Sequence, residues 1–159
     1  MDKVYRKGAV GALLDEYEKA IGELKELIKK IPDEELPVIV DAATADENCR
    51  SVQTILTHVV YAAYGYATYL RNRKGGTAEC PPKATQSTVA AYIQDLDTVF
   101  QFTVTIMEEM TEAEMEDTRK VFTGWGERYT TEQLVEHAIV HILRHRRQLE
   151  KFQVALQKR

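Results

Sequence analysis

Three of the chain's four histidines, His137, His141 and His145, stand four residues apart inside the stretch TTEQLVEHAIVHILRHRRQLEKFQVAL, residues 130–156. In an α-helix a four-residue step returns to nearly the same side, so these imidazoles stack along one stripe, the spacing of a helical metal site. Leu134, Ala138, Ile142, Leu149, Phe152 and Leu156 recur at three- and four-residue intervals. They put His141 and His145 near the middle of an apolar arc and His137 at its edge. Glu136, Val140, Leu143, Arg144, Arg147, Glu150 and Lys151 fill the opposite, mostly charged arc. Two imidazoles that point inward among leucines must satisfy their ring nitrogens, either by hydrogen bonds to buried groups or by a metal ion. The spacing alone leaves those two readings open. It is not the zincin arrangement, because position 138 is Ala where a general-base Glu would stand. A metal here needs a third ligand from elsewhere in the chain.

The elements that must supply it are helical. Residues 4–31 carry Val10, Leu14, Tyr17, Ile21, Leu24, Ile28 and Ile31 in alternating steps of four and three with Glu and Lys between them, and Pro32 ends the run. The mixed charge of its polar side fits a core-facing helix better than a membrane-surface one. Residues 32–46, PDEELPVIVDAATAD, form a first long connection, placed to shape a pocket at one end of a bundle. A second helix is expected to begin near Asp46 to Asn48, with Asp46 as its cap, and to end at Lys74-Gly75-Gly76. Val52, Ile55, Val59, Ala63, Tyr66 and Leu70 make its inward arc, and the fourth histidine, His58, lies on the flank of that arc. Alone, His58 reads as a hydrogen-bonded packing residue. Beside an inward pair that lacks a partner it gains weight as a ligand. Tyr61, Tyr64, Tyr66 and Tyr69 are read chiefly as core and interface packing, with a pocket wall as the alternative.

A third helix is expected from about Ser87 to Met110, and no histidine lies on its stripe. Residues 111–129 form the second long connection, whose tail, Val121 to Tyr129, suits a short extended segment or a compact loop. The chain's one tryptophan, Trp125, sits there, as a plug for the end of the bundle or as a cover for a site. Thr130 with Gln133 reads as a capping box that starts the last helix. The fold expected is therefore all-α, a four-helix bundle with two long connections, one after the first helix and one before the fourth, in a single domain spanning 1–159.

Composition narrows the partners. A net charge of −4 with both signs interspersed offers no basic surface for phosphates, so nucleic acid is excluded as an expected partner. No apolar run approaches the roughly 20 residues of a membrane span, so no membrane is expected and the chain reads as cytoplasmic. The two cysteines, Cys49 and Cys80, lack a CxxC spacing and read as structural or incidental.

Four helices in this order, with inward histidines on the second and fourth, resemble the DinB/YfiT-like superfamily. The matching residues are His58, the pair His141 and His145, and the tail His145-Arg146-Arg147-Gln148. In the family that tail often reads His-Arg-Gly-Gln, so Arg147 is a departure, and the helical projection turns it to solvent. The resemblance implies a divalent-metal site held by His58, His141 and His145, with zinc or nickel first and iron or manganese as alternatives. It implies a metal-dependent thiol S-transferase or hydrolase that activates a low-molecular-weight thiol or water, acting on a small-molecule substrate, and it suggests a homodimer. His137 has no required place in the pattern and could support a ligand, face substrate as a base, or do neither. The other class of function is a metal-binding or dimerising stress-related helical bundle without turnover.

Overall fold

Side-chain caps decide where the helices of this chain begin. In the computed structural model, which describes residues 4–159, the long helices are α1 (Gly8–Ile28), α2 (Val52–Asn72) and α3 (Val89–Met107), followed by a single turn, α4 (Glu112–Met115), and the long α5 (Thr131–Leu156). Ser51, Thr88, Thr111 and Thr130 each accept a hydrogen bond from a backbone N–H in the first turn of the helix that follows. Three of these, Ser51 with Thr54, Thr111 with Glu114 and Thr130 with Gln133, are reciprocal capping boxes. The α1 helix has no cap of its own. Its Ala9 N–H donates instead to the Glu112 carboxylate, 3.2 Å away, which brings a negative charge to the positive end of the helix.

One boundary differs from the sequence expectation. Asp46 does cap, but what it caps is a separate 3-10 turn, Glu47–Cys49, and α2 starts six residues later behind Ser51. The reason lies in backbone pairing upstream. Ile39 bridges Ser51, the Val40 N–H donates to the Arg50 carbonyl at 2.9 Å, and the Gln53 N–H donates to the Leu36 carbonyl at 2.9 Å. These bonds hold residues 50–51 extended, so the helix begins only where Ser51 can close the box.

The four long helices touch in a closed ring: α1 packs on α3, α3 on α2, α2 on α5, and α5 on α1. Their inward stripes form one apolar core in which Leu24, Ile28, Val52, Ile55, Leu96, Leu134 and Leu149 lose essentially all their exposure. Each such side chain contributes about 1.5–3 kcal/mol of burial. The stripe predicted for α1 is the one buried, from Val10 through Ile28 to Ile31. Ion pairs fasten the rim, Arg6 to the nearly buried Asp15 at 2.6 Å and Arg146 of α5 to Glu23 of α1.

The two connections are ordered by contacts with the helix ends. Leu36 anchors the first in the core. In the second, Glu114 takes Arg73 at 2.9 Å and Lys74 at 2.6 Å from the end of α2. Beyond it, β1 (Val121–Phe122) and β2 (Arg128–Tyr129) pair antiparallel, with Val121 opposite Tyr129. Gly126 closes that turn at φ +90°, a conformation that side-chain-bearing residues rarely adopt. Among the described residues no helix is long and apolar enough to cross a membrane.

Because Ser51 rather than Asp46 starts the helix that carries His58, Ser51→Ala is expected to lower the unfolding free energy by about 1 kcal/mol. Asp46→Ala is expected to cost less. Urea unfolding followed by far-ultraviolet circular dichroism compares the two, and an equal loss would put the start of α2 back at Asp46.

Candidate metal centre

The seam between α2 and α5 is where the histidines meet. His58 comes from α2, and its Nε2 lies 3.0 Å from His141 Nε2 on α5, across 83 residues of sequence. His145, one turn further along α5, brings its own Nε2 to 3.2 Å from the same His141 atom. The three ligand atoms all fall within 4.8 Å of one another, a group able to hold a metal ion. His141 and His145 are buried, at 6% exposure each, and His58 is half-buried on the flank where the helical projection places it.

Hydrogen-bond counting shows why these rings do not behave as ordinary core histidines. A neutral imidazole nitrogen carries either a proton or a lone pair in the ring plane, never both. His141 Nε2 can therefore make one in-plane hydrogen bond, yet two other ring nitrogens face it at hydrogen-bonding distance. Further protons are not available to fill the gap. Burial drives the His141 pKa down to about 2, reinforced by His145 and His58. Burial likewise takes His58 down to about 4, and it lowers His145. A cation that accepts three lone pairs satisfies the three Nε2 atoms that face one another. At metal–nitrogen distances of about 2.0–2.1 Å, ligand nitrogens at tetrahedral or octahedral angles sit roughly 2.8–3.4 Å apart. The spacing of His141 Nε2 from its two partners matches that.

The surroundings set the tautomers. His145 Nδ1 is 3.0 Å from Gln148 Oε1, so Nδ1 carries the proton it donates and Nε2 is left with a lone pair aimed into the cluster. Gln148 was visible in sequence only as the last letter of the motif tail. Its position three residues after His145, on the same helix face, was the signal for this role. The Gln148 amide also reaches the Cys49 thiol, where it works against the upward push of burial. His141 Nδ1, by contrast, is buried without a hydrogen-bond partner, a cost the packing of a purely structural histidine would normally avoid.

The 3-10 turn that Asp46 caps borders the cluster, and the Asp46 charge opposes the downward shift of both His58 and His145. Sequence reasoning gave Asp46 a capping role only. On the α3 side, the buried Tyr92 hydroxyl donates to the Gln53 carbonyl at 3.1 Å and so accepts from Thr57 at 2.5 Å, locking the turn of α2 that presents His58.

A cavity of about 720 Å³ opens beside the cluster, and both His58 and His137 line it. His137 is not part of the trio. Its ring centroid is 6.5 Å from that of His141, and it sits in an aromatic frame, stacked on Trp125 at 5.9 Å and edge-on to Tyr66 at 5.4 Å. Trp125 is 47% exposed and forms a wall of the cavity, so it does not plug the end of the helices. The Gly124 N–H, donating to the Tyr69 hydroxyl at 2.6 Å, holds the hairpin turn in that position. Tyr61, Tyr66 and Tyr69 line the same cavity, whereas Tyr64 packs on Phe102. Arg147, where the family pattern carries glycine, is exposed and touches none of this.

The sequence model of the DinB family matches residues 3–151. The chain belongs to the DinB family. No curated protein matches it closely enough to add a relative of known activity.

Two outcomes follow from the geometry. In metal-free protein the histidines have folded pKa values below their ordinary 6.5, so the unfolded chain binds more protons than the folded one as pH falls. Stability is therefore expected to be full above pH 6.5 and to decline below it. The stretch down to about pH 4.5 is the histidine window, because Glu114, held at about 2, contributes only as pH falls below its ordinary 4.5. Melting temperature against pH measures this in chelator-treated protein, and His141→Phe should flatten the slope. Gln148→Leu, which frees the His145 tautomer, is expected to weaken zinc binding about 10- to 100-fold by competition against a chelating dye. Unchanged affinity would remove Gln148 from the site.

Proposed function

We propose that this DinB-family chain is a metal-dependent enzyme built on a four-helix bundle, a thiol S-transferase or hydrolase, with His58, His141 and His145 as its metal ligands. The observation that carries the reading is the convergence of three histidine ring nitrogens beside a largely apolar cavity that His58 lines. Three neutral imidazoles without a carboxylate favour zinc or nickel, with iron or manganese weaker in the affinity order for such donors. Three protein ligands leave coordination positions open, the arrangement of a catalytic rather than a structural site. A divalent ion bound there lowers the pKa of a thiol or water beside it and makes a nucleophile near neutral pH.

The chain's own residues do the remaining work. Gln148 keeps the His145 lone pair directed inward, and the neutral state of all three rings at pH 7 spares the ion competition from protons. Aromatic side chains form much of the cavity wall beside the cluster. Among the residues lining the cavity none is Asp or Glu; beside Cys80 and Lys83, His137, half-buried at the wall, is a side chain able to accept or return a proton. Exposed apolar residues on α5, Val140 and Leu143, are the surface that the proposed homodimer would cover.

The lack of a lining carboxylate is also what favours the second reading, a metal-binding or dimerising bundle without turnover. Elemental analysis of untagged protein tests the part both share. About one divalent ion per chain is expected in the wild type, with loss in His141→Ala at unchanged helical content. The absence of metal from both proteins, even after incubation with zinc or nickel, would overturn the site. With metal established, transfer of a small thiol to an electrophilic acceptor, or hydrolysis, separates the enzyme from the inert bundle.

A further inference from the structure

The cavity beside the histidines has a chemistry of its own. Its walls are aromatic, Tyr61, Tyr66, Tyr69 and Trp125, and the only full charge among its lining residues is Lys83. Lys83 Nζ donates to the neutral Asn48 Oδ1 at 2.6 Å and pairs with no carboxylate among the described residues. Lys83 and His58 line the same cavity, so the cation and the flank of the histidine cluster face one space. Trp125 and Tyr61 keep 47% and 40% of their surface exposed, an unusual state for large rings that edge a cavity in an otherwise well-filled core.

Gly65 adds an independent observation. It sits in the middle of α2 and lines this cavity. A mid-helix glycine costs about 1 kcal/mol relative to alanine. No close packing requires it, since a β-carbon built there meets nothing within 4 Å, and its φ is not positive. The missing side chain leaves room in the cavity beside the tyrosines.

We infer that this cavity binds a small organic acid with a flat aromatic body, the ring lying among Tyr61, Tyr66, Tyr69 and Trp125 over Gly65 and the anionic group paired with Lys83. The inference rests on the function proposed above in taking this acid as the substrate presented to the histidine cluster. Ring-on-ring contacts among four aromatic side chains favour an aromatic over a saturated body. A single uncompensated cation, with no lining carboxylate, favours an anion over a neutral or cationic ligand. A cavity of about 720 Å³ takes a molecule of that size together with a thiol.

The protein carries one tryptophan, and it is in this wall, so intrinsic fluorescence reads the cavity directly. The probes are 3-phenylpropionate, its neutral amide and 3-cyclohexylpropionate, titrated into both chelator-stripped and zinc-loaded protein. Saturable quenching or blue shift by 3-phenylpropionate is expected in both forms, with weaker binding of the amide and of the saturated acid. Lys83→Met is expected to weaken the aryl acid about fivefold, the upper end for an ion pair with an exposed lysine, without changing the amide. Gly65→Leu, which places a side chain in open space and suits a helix, is expected to abolish binding while metal content stays as in the wild type.

Equal binding of the amide or the saturated acid overturns the inference. So does an unchanged affinity in Lys83→Met, or binding only in zinc-loaded protein, which would show the carboxylate read by the metal. Metal content is measured separately. Aryl-acid binding in a protein that takes up no metal would refute the proposed function and leave this ligand class standing. Metal uptake without aryl-acid preference would do the reverse.

Discussion

The structure turns on three neutral imidazoles brought together at one seam, two of them buried and one half-buried. A buried ring nitrogen without a partner costs free energy of the order of a lost hydrogen bond. Here His141 Nε2 is approached by two others while its Nδ1 has no partner. An apolar core would not assemble such a cluster for its own stability, since leucine in each place would pack without the cost. The surrounding elements instead hold it in place: the Ser51 box and Tyr92 fix the turn of α2 bearing His58, and Gln148 fixes His145.

The two connections, which a fold description would pass over, make the site more than a cluster. The first crosses beside α2 and leaves the Asp46-capped turn next to His58 and His145. The second is fastened to the end of α2 through Glu114 and to Tyr69 through Gly124, and so carries Trp125 to the cavity wall beside His137. Long connections cost ordering entropy, and here specific hydrogen bonds and ion pairs offset it. The result is a cavity beside the histidines lined by aromatic rings and a single lysine.

How much of this could be read from the chain depends on the range of each signal. The stripes of α1, α2, α3 and α5 were legible because helical periodicity is a local property, and the buried residues fall on them. The Thr130 and Gln133 box was legible for the same reason. The inward pair, the flank position of His58, the edge position of His137 and the exposure of Arg147 all follow from angles on one helix. The start of α2 was not, because the bridge between Ile39 and Ser51 competes with helix and is made by residues twelve apart.

By itself the sequence determined which residues could form ligands and which way each faced, because both are set within a few turns of one helix. Only the tertiary structure decided that the flank of α2 meets the stripe of α5. That contact joins residues 83 positions apart, and it depends on which helices become neighbours. The same holds for the cavity, whose walls come from α2, the hairpin turn and the loop bearing Lys83. Periodicity specifies a face, but what that face encloses is a matter of packing between faces, and no local pattern encodes it.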